Sequence, residues 1–201
     1  MLNALITSMF AGLLELDNVQ AGQFLLSRPA FAGPLLGWLS GCPLEGARIG
    51  LLIELVYMDF IPVGGVVPPN GLVAAATALL ALTWAGLPES LAFFIGVFAG
   101  FLYGGVEYRL RTARSGWNTK IEAEVKDGTI NIGRWLAGSL LLESAVTGAY
   151  IFFFSALVFI PAVFVKPAGI YTATNFAYSL MPWLGLSGLY FRFRTQVGKK
   201  G

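Results

Sequence analysis

The chain has 201 residues, of which 56% are hydrophobic and only 12% are charged, so it lacks the polar side chains that usually cover a soluble domain. Its mean hydropathy of +0.72 therefore predicts an integral membrane protein. There is no histidine and one cysteine, Cys42, which excludes a Cys/His zinc site, a phosphohistidine and an internal disulfide. No metal or cofactor is predicted, and the net charge of +2 does not indicate nucleic acid as a partner.

The first seventy residues combine charged side chains with apolar runs that glycine and proline repeatedly interrupt. Such short segments are typical of discontinuous or re-entrant helices along a transport path, because non-helical backbone at membrane depth must be shielded by protein or line a cavity. Burying a charge in hydrocarbon costs about 2.5–3.5 kcal/mol, so each charge should face a protein interior or a watery cavity. Loops at the membrane surface are the alternative. We favour burial for Glu54, inside Leu51–Tyr57, and the surface for Glu45.

Residues 1–106 are predicted to be a membrane core in which these broken helices are followed by a helical hairpin. The hairpin consists of Leu72–Leu87 and Ser90–Val106, interrupted by proline and a charge at Pro88–Glu89. Its second helix carries a glycine every fourth residue, which is typical of a close-packing helix face: Gly96, Gly100 and Gly104. The fold class predicted for the whole chain is all-α and polytopic.

Residues 107–132 form the only long polar segment and are predicted to be a cytoplasmic loop that contains an amphipathic surface helix at Asn118–Lys126. Opposite charges four residues apart, such as Glu122 and Lys126, support a helix there. A plain connecting loop is the alternative. A docking surface for a soluble partner is a further inference, and the charge pattern does not identify that partner.

The basic residues predict the orientation of the chain. Six of the 13 Lys and Arg residues lie in Arg109–Arg134 and four lie in the tail, residues 192–201, so the positive-inside rule places both segments in the cytoplasm. The 57 residues between them, Trp135–Phe191, must then cross the membrane an even number of times. We therefore predict a transmembrane hairpin over residues 133–191 that turns near Lys166–Pro167.

Polar side chains in the interrupted region suit the recognition of sugar hydroxyl groups. Carboxylate and amide groups bind hydroxyls, and a hydrogen bond to a charged group is worth about 1.5–3 kcal/mol. The candidates are Glu15, Asn18, Gln20, Glu54 and Asn70. An acid/base pair of Glu15 and Asp17 is the weakest hypothesis, because a spacing of two places the side chains on different helix faces.

Glu143 is a further candidate because it follows Arg134 by nine residues, or roughly 13 Å along a helix, which predicts a position near mid-membrane. Two interpretations stay open. The carboxyl group has a functional or subunit-contact role, or it is kept neutral by burial.

An ordered series of motifs in the first seventy residues resembles the IIC permease subunit of the mannose, fructose and sorbose class of sugar phosphotransferase systems. The resemblance covers residues 10 to about 150 and weakens after Gly105. Its motifs are Gly12-Leu13-Leu14-Glu15, Asn18-Val19-Gln20, Ser27-Arg28-Pro29, Gly33-Pro34-Leu35-Leu36-Gly37, Glu45-Gly46, Ile49-Gly50, Ile53-Glu54-Leu55, Ile61-Pro62-Val63-Gly64-Gly65 and Val67-Pro68-Pro69.

The resemblance implies a subunit of a bacterial inner membrane that pairs with a IID membrane subunit and accepts a hexose. It also implies that a IIB protein, recharged by IIA, phosphorylates the sugar, so that the phosphoryl donor lies on a partner. By motif position Glu54 would bind the sugar, with Asn18, Gln20 and the Pro69–Asn70 turn as further ligands. The family's turn usually ends in aspartate, whereas Asn70 keeps an acceptor oxygen and gains a donor amide.

A non-transporting relative that acts as a membrane partner or sensor subunit is the alternative function. The sugar and the oligomeric state, including a homo-oligomer, are left open by the sequence.

Overall fold

The computed structural model describes residues 1–20, 22–60, 66–164 and 168–197, and every regular element within these ranges is an α-helix. This confirms the all-α fold class. In chain order the helices are α1 Leu2–Val19, α2 Pro29–Leu39, α3 Pro43–Tyr57, α4 Gly71–Thr83, α5 Glu89–Ser115, α6 Asn118–Lys126, α7 Ile132–Phe164 and α8 Ala168–Val197.

Two helices of the first half are too short to cross a bilayer. α2 has 11 residues, as the glycine and proline pattern predicts, whereas α4 has 13 and ends at Thr83, before the predicted end of the first hairpin helix at Leu87. At 1.5 Å per residue neither reaches the roughly 30 Å thickness of a bilayer core. Pro29 and Pro43 begin α2 and α3, where proline's missing N–H is tolerated. The predicted motif at residues 61–65 lies outside the described residues.

α4 is the central helix of the fold. Its ten residues Leu72–Ala81 are all buried, and it packs against α1, α2, α3, α5 and α7. Six of these ten residues are alanine or threonine, so neighbouring backbones can approach it closely. A short helix surrounded on all sides therefore forms the core of the protein.

The α2–α3 pair is held at backbone contact by four glycines, which we call the glycine interface: Gly33, Gly37, Gly46 and Gly50. A Cβ atom on Gly46 would overlap the Gly33 carbonyl oxygen and lie 2.9 Å from the Gly37 Cα. Because backbone atoms cannot move aside as a flexible side chain can, the interface has no room for a larger residue.

The predicted close-packing face of α5 is confirmed. A Cβ on Gly96 would overlap the Ala74 carbonyl oxygen, and one on Gly100 would lie 2.5 Å from the Asn70 carbonyl oxygen. Gly104 continues this face, with 3.5 Å from its Cβ position to the Pro68 carbonyl oxygen. The α4–α5 hairpin is therefore packed as tightly as the α2–α3 pair.

The polar segment begins later than the sequence predicts. α5 continues through Glu107 to Ser115, and Glu107 is only 6% exposed, so it does not belong to a water-facing loop. Hydropathy alone assigns the Glu107 carboxylate to water, but neighbouring helices pack on α5 and bury it in the folded protein. The helix predicted at Asn118–Lys126 is confirmed as α6, and none of its residues is buried.

Two described segments, Glu89–Lys126 and Ile132–Ala162, contain a stretch that is long and apolar enough to cross a bilayer. α8 has comparable length, 30 residues. α7 packs mainly on α1, and α8 packs on α3 and α5, so each finds its main neighbours in the first half of the chain. The predicted turn at Lys166–Pro167 lies outside the described residues.

Candidate functional site

A cavity of about 630 Å³ opens where several helix ends meet, and we call it the first cavity. It is bordered by the ends of α1, α3 and α8, the beginnings of α2 and α4, and the last third of α5. Three of the five predicted site residues line it: Asn18, Glu54 and Asn70. Its volume falls in the range of about 300–1,000 Å³ that is typical of small-molecule sites.

Glu54 is the carboxylate of the first cavity. Its Oε1 accepts a hydrogen bond from Arg28 Nη1 at 3.2 Å, across the gap between α3 and α2. Its Oε2 is buried and has no hydrogen-bond partner within the described part of the chain. A buried acceptor without a donor is uncommon in native structures.

Glu15, Asn18 and Asn70 form one hydrogen-bonded cluster. The Glu15 Oε1 accepts from Asn18 Nδ2 at 3.0 Å and from Asn70 Nδ2 at 2.8 Å. Asn70 also caps α4, because its Oδ1 accepts from the Val73 N–H at 2.9 Å. The asparagine amide thus uses both its acceptor and its donor, and an aspartate here could supply only the acceptor when ionised.

Gln20 lies in a different place. Its Nε2 donates to Glu143 Oε2 at 3.2 Å, and Arg114 Nη2 pairs with the same oxygen at 2.7 Å. These groups border a second cavity of about 490 Å³, which also contains Glu15 in its wall. The five predicted residues are therefore divided between two neighbouring cavities.

Glu107 and Arg111 line both cavities and form an ion pair one turn apart on α5. Neither residue is among the predicted site residues, because both fall in the segment predicted to be polar and water-facing. Their i, i+4 spacing, with Arg114 almost one turn further, was the available signal that these charges share a helix face.

Asp17 takes no part in a pair with Glu15. Its two carboxylate oxygens accept from the backbone N–H groups of Phe24 and Ser27, at 2.6 and 3.2 Å, and so hold the turn between α1 and α2. The acid/base hypothesis therefore gains no support from the structure. Within the described ranges there is also no group of three or more Cys, Asp or Glu residues arranged to hold a metal ion.

The exposed helix α6 is tied to the beginning of α7 by one carboxylate. Glu124 Oε2 accepts from Trp135 Nε1 at 2.9 Å, and its Oε1 pairs with Arg134. The hydrogen bond from Trp135, together with the Arg134 charge, holds the pKa of Glu124 below its ordinary value. Glu124 therefore ties α6, none of whose residues is buried, to the beginning of α7.

The overall architecture is that of solved membrane proteins. A structure described only as a membrane protein has a TM-score of 0.76 at 15% identity, and the match covers 96% of this chain and 78% of that one. The cryo-EM structure of the mannose transporter ManYZ in complex with microcin E492 has a TM-score of 0.65 at 16% identity, with the same coverage. At these identities the likeness establishes the fold class: an all-helical membrane protein.

The sequence gives the family. The family model of the sorbose-specific IIC component of the phosphotransferase system matches residues 1–189, and the chain belongs to that family. It is thus a membrane subunit of a sugar phosphotransferase system, which confirms the resemblance found in the motifs. A search of curated protein sequences found no match.

Proposed function

We propose that this chain is the IIC subunit that carries a hexose across a bacterial inner membrane and releases it for phosphorylation by a partner IIB protein. The observation that carries the proposal is the first cavity, which brings the Glu54 carboxylate, the Arg28 guanidinium and the Asn18 and Asn70 amides to one space. Carboxylate, guanidinium and amide groups are partners for the hydroxyl groups of a sugar.

The other groups around the first cavity suit the same ligand. Arg28 offers N–H donors beside Glu54, and the Asn18 and Asn70 side chains border the same space. Donors and acceptors placed on different helices fix the orientation of a polyol, because each hydroxyl both donates and accepts. We therefore propose three side chains as sugar ligands: Glu54, Asn18 and Asn70. Glu15 accepts hydrogen bonds from the Asn18 and Asn70 amides and so fixes their positions.

The proposed division of labour between subunits agrees with the composition of the chain. The sequence contains no histidine and so no phosphohistidine, and we place the phosphoryl donor on another protein. A IIB protein recharged by IIA, and a IID subunit beside the exposed apolar faces of the long helices, are the proposed partners.

The proposed orientation places the first cavity toward the cytoplasm. Arg111 and Arg192, which border it, belong to the two basic segments that the positive-inside rule assigns to that side. In the same proposal residues 1–106 are the membrane core, 107–132 contain the surface helix, 133–191 return across the membrane and 192–201 end in the cytoplasm.

The test is hexose binding to the purified complex with its IID partner, comparing the parent with Glu54→Gln. We expect the substitution to raise Kd about 10- to 150-fold, since a hydrogen bond to a charged group is worth about 1.5–3 kcal/mol. Glu45→Gln is the matched control: Glu45 lies on the same helix and pairs with Arg48, and it does not border either cavity. Its Kd should equal that of the parent.

Two outcomes contradict the proposal in different ways. If hexoses bind and Glu54→Gln matches the control, the sugar site lies elsewhere. If a well-folded complex binds no hexose, the alternative of a non-transporting membrane partner replaces transport.

A further inference from the structure

The wall of the first cavity has more positive than negative side chains. Among the described residues that border it, the charged ones are three arginines and two glutamates: Arg28, Arg111, Arg192, Glu54 and Glu107. The arginines come from three parts of the fold, since Arg28 directly precedes α2, Arg111 lies on α5 and Arg192 lies on α8. The wall therefore carries a net positive charge.

The guanidinium groups are also more accessible than the carboxylates with which they pair. The side chains of Arg28 and Arg111 are 61% and 47% exposed, whereas those of their partners Glu54 and Glu107 are 26% and 8% exposed. In both ion pairs the carboxylate is the more covered member. The accessible charge at the wall is therefore mainly that of guanidinium.

The geometry of these two ion pairs leaves room for a second anion. Each pair engages one terminal nitrogen of its arginine, Nη1 of Arg28 and Nη2 of Arg111. A guanidinium group carries five N–H donors in a planar fork, which matches the oxygens of a phosphate group. Such an arginine can therefore bind a phosphoryl group while it keeps its carboxylate partner.

Arg192 adds a positive charge whose acidic partner lies outside the cavity. Its Nη1 donates to the Met58 carbonyl oxygen at 3.1 Å and lies 3.5 Å from Asp59 Oδ1. Asp59 is mostly exposed and is not among the described residues that border the cavity. Exposed ion pairs are weak, so the Asp59 carboxylate offsets little of the Arg192 charge at the wall.

We propose that the first cavity also binds the phosphate ester of the hexose, with the sugar at Glu54 and the phosphoryl group at Arg111 and Arg192. This inference rests on the proposed function, because it adds a phosphorylated form to the same sugar. A neutral hexose needs no net charge around it, whereas a phosphate ester is an anion that a net positive wall attracts. The same cavity then holds the sugar before phosphoryl transfer and the product after it.

The experiment compares two Kd values on each variant of the full chain in complex with its IID partner. One is the Kd of the hexose, D-mannose or L-sorbose, and the other is the Kd of its phosphate ester, D-mannose 6-phosphate or L-sorbose 1-phosphate. The test variant is Arg192→Gln. Arg194→Gln is the matched control, because Arg194 is an exposed arginine on the same helix and does not border either cavity.

We expect Arg192→Gln to raise the ratio of the ester Kd to the hexose Kd about 10-fold, near the lower end of the worth of a hydrogen bond to a charged group. Arg194→Gln should keep the ratio of the parent. Arg111→Lys is a second, independent variant: it keeps a positive charge beside Glu107 but loses the planar fork, and it should also raise the ratio. Added salt should raise the ratio in the parent, because it screens the charged ligand alone.

Three results contradict different statements. If hexoses bind and their phosphate esters do not, or if Arg192→Gln and Arg111→Lys both keep the ratio of the parent, the phosphate-ester site is overturned and the proposed function stands. If inorganic phosphate binds as tightly as the ester, the arginines recognise phosphate without the sugar, which also overturns the inference. If a folded complex binds no hexose, the proposed function itself fails.

Discussion

The glycine interface between α2 and α3 and the group of charged side chains at the helix ends are built on opposite principles. The glycine interface contains no side chain between the two backbones, and its stability depends only on shape. The second region, which we call the polar cluster, combines buried carboxylates with arginine side chains that pair with two of them and with one unpaired oxygen, Glu15 Oε2. Its members are Glu15, Asn70, Glu107, Arg111, Arg114 and Glu143. One region is therefore held by shape alone, and the other by ion pairs and hydrogen bonds.

Asn70 connects the polar cluster to a second close-packed helix pair, α4 and α5. Its backbone N–H donates to the Gly100 carbonyl oxygen at 3.0 Å, within the close-packed α4–α5 pair. Its side chain caps α4 and donates to Glu15 in the polar cluster. Close packing of α5 on α4 therefore sets the position of an amide that borders the first cavity.

The largest effect should come from removing one charge of the polar cluster. Arg114→Ala leaves Glu143, which is 5% exposed, without its guanidinium partner. We expect a loss of about 3 kcal/mol in the free energy of unfolding, comparable to the cost of an unpaired charge in a membrane. The measurement is denaturant unfolding of the purified protein in mixed micelles.

Two controls show whether that loss comes from the unpaired carboxylate. Arg109→Ala removes an exposed charge from the same helix and should change the free energy of unfolding by less than about 0.5 kcal/mol. Adding Glu143→Leu to Arg114→Ala should restore part of the stability, because no unpaired charge remains. A double variant that is less stable than Arg114→Ala alone would contradict this explanation.

A smaller loss is expected from the glycine interface. Gly46→Ala places a methyl group against the Gly33 carbonyl oxygen, so the two helices must separate. Overpacking of this kind costs about 1–3 kcal/mol. Thermal unfolding followed by circular dichroism measures the change.

Gly105→Ala is the matched control for that substitution. A Cβ on Gly105 has no atom within 4 Å, and alanine favours a helix over glycine by about 0.5–1 kcal/mol, so this variant should be slightly more stable than the parent. Equal destabilisation of both variants would show that helix contact is not the cause.

The smallest effect is expected from substitutions of Asn70, which both caps α4 and donates to Glu15. Asn70→Ser keeps a capping oxygen for the beginning of α4 but cannot replace the amide donated to Glu15, whereas Asn70→Ala loses both. We expect the alanine variant to be about 1 kcal/mol less stable than the serine variant, which is the usual worth of an N-cap. Unfolding curves of the two variants measured side by side give the difference, and identical curves would mean that the cap contributes nothing.

Several features were predictable because they depend on local pattern. Glycines four residues apart mark the packing face of α5, and mixed charge marks α6. These signals act within one or two helical turns, so the sequence is sufficient to interpret them. The end of α5 was predicted too early, because the burial of Glu107 depends on its neighbours in space.

The sequence by itself determined that this is an all-helical membrane protein of the sorbose-specific IIC family, with interrupted helices in its first half. Only the tertiary structure decided which polar groups meet: Asn70 with Glu15 across 55 residues, and Gln20 with Glu143 across 123. The physical reason is that such pairs depend on the distances between helices. Those distances are set by backbone contacts at glycine. The sequence shows where each glycine lies but not which residue it will contact in the folded protein.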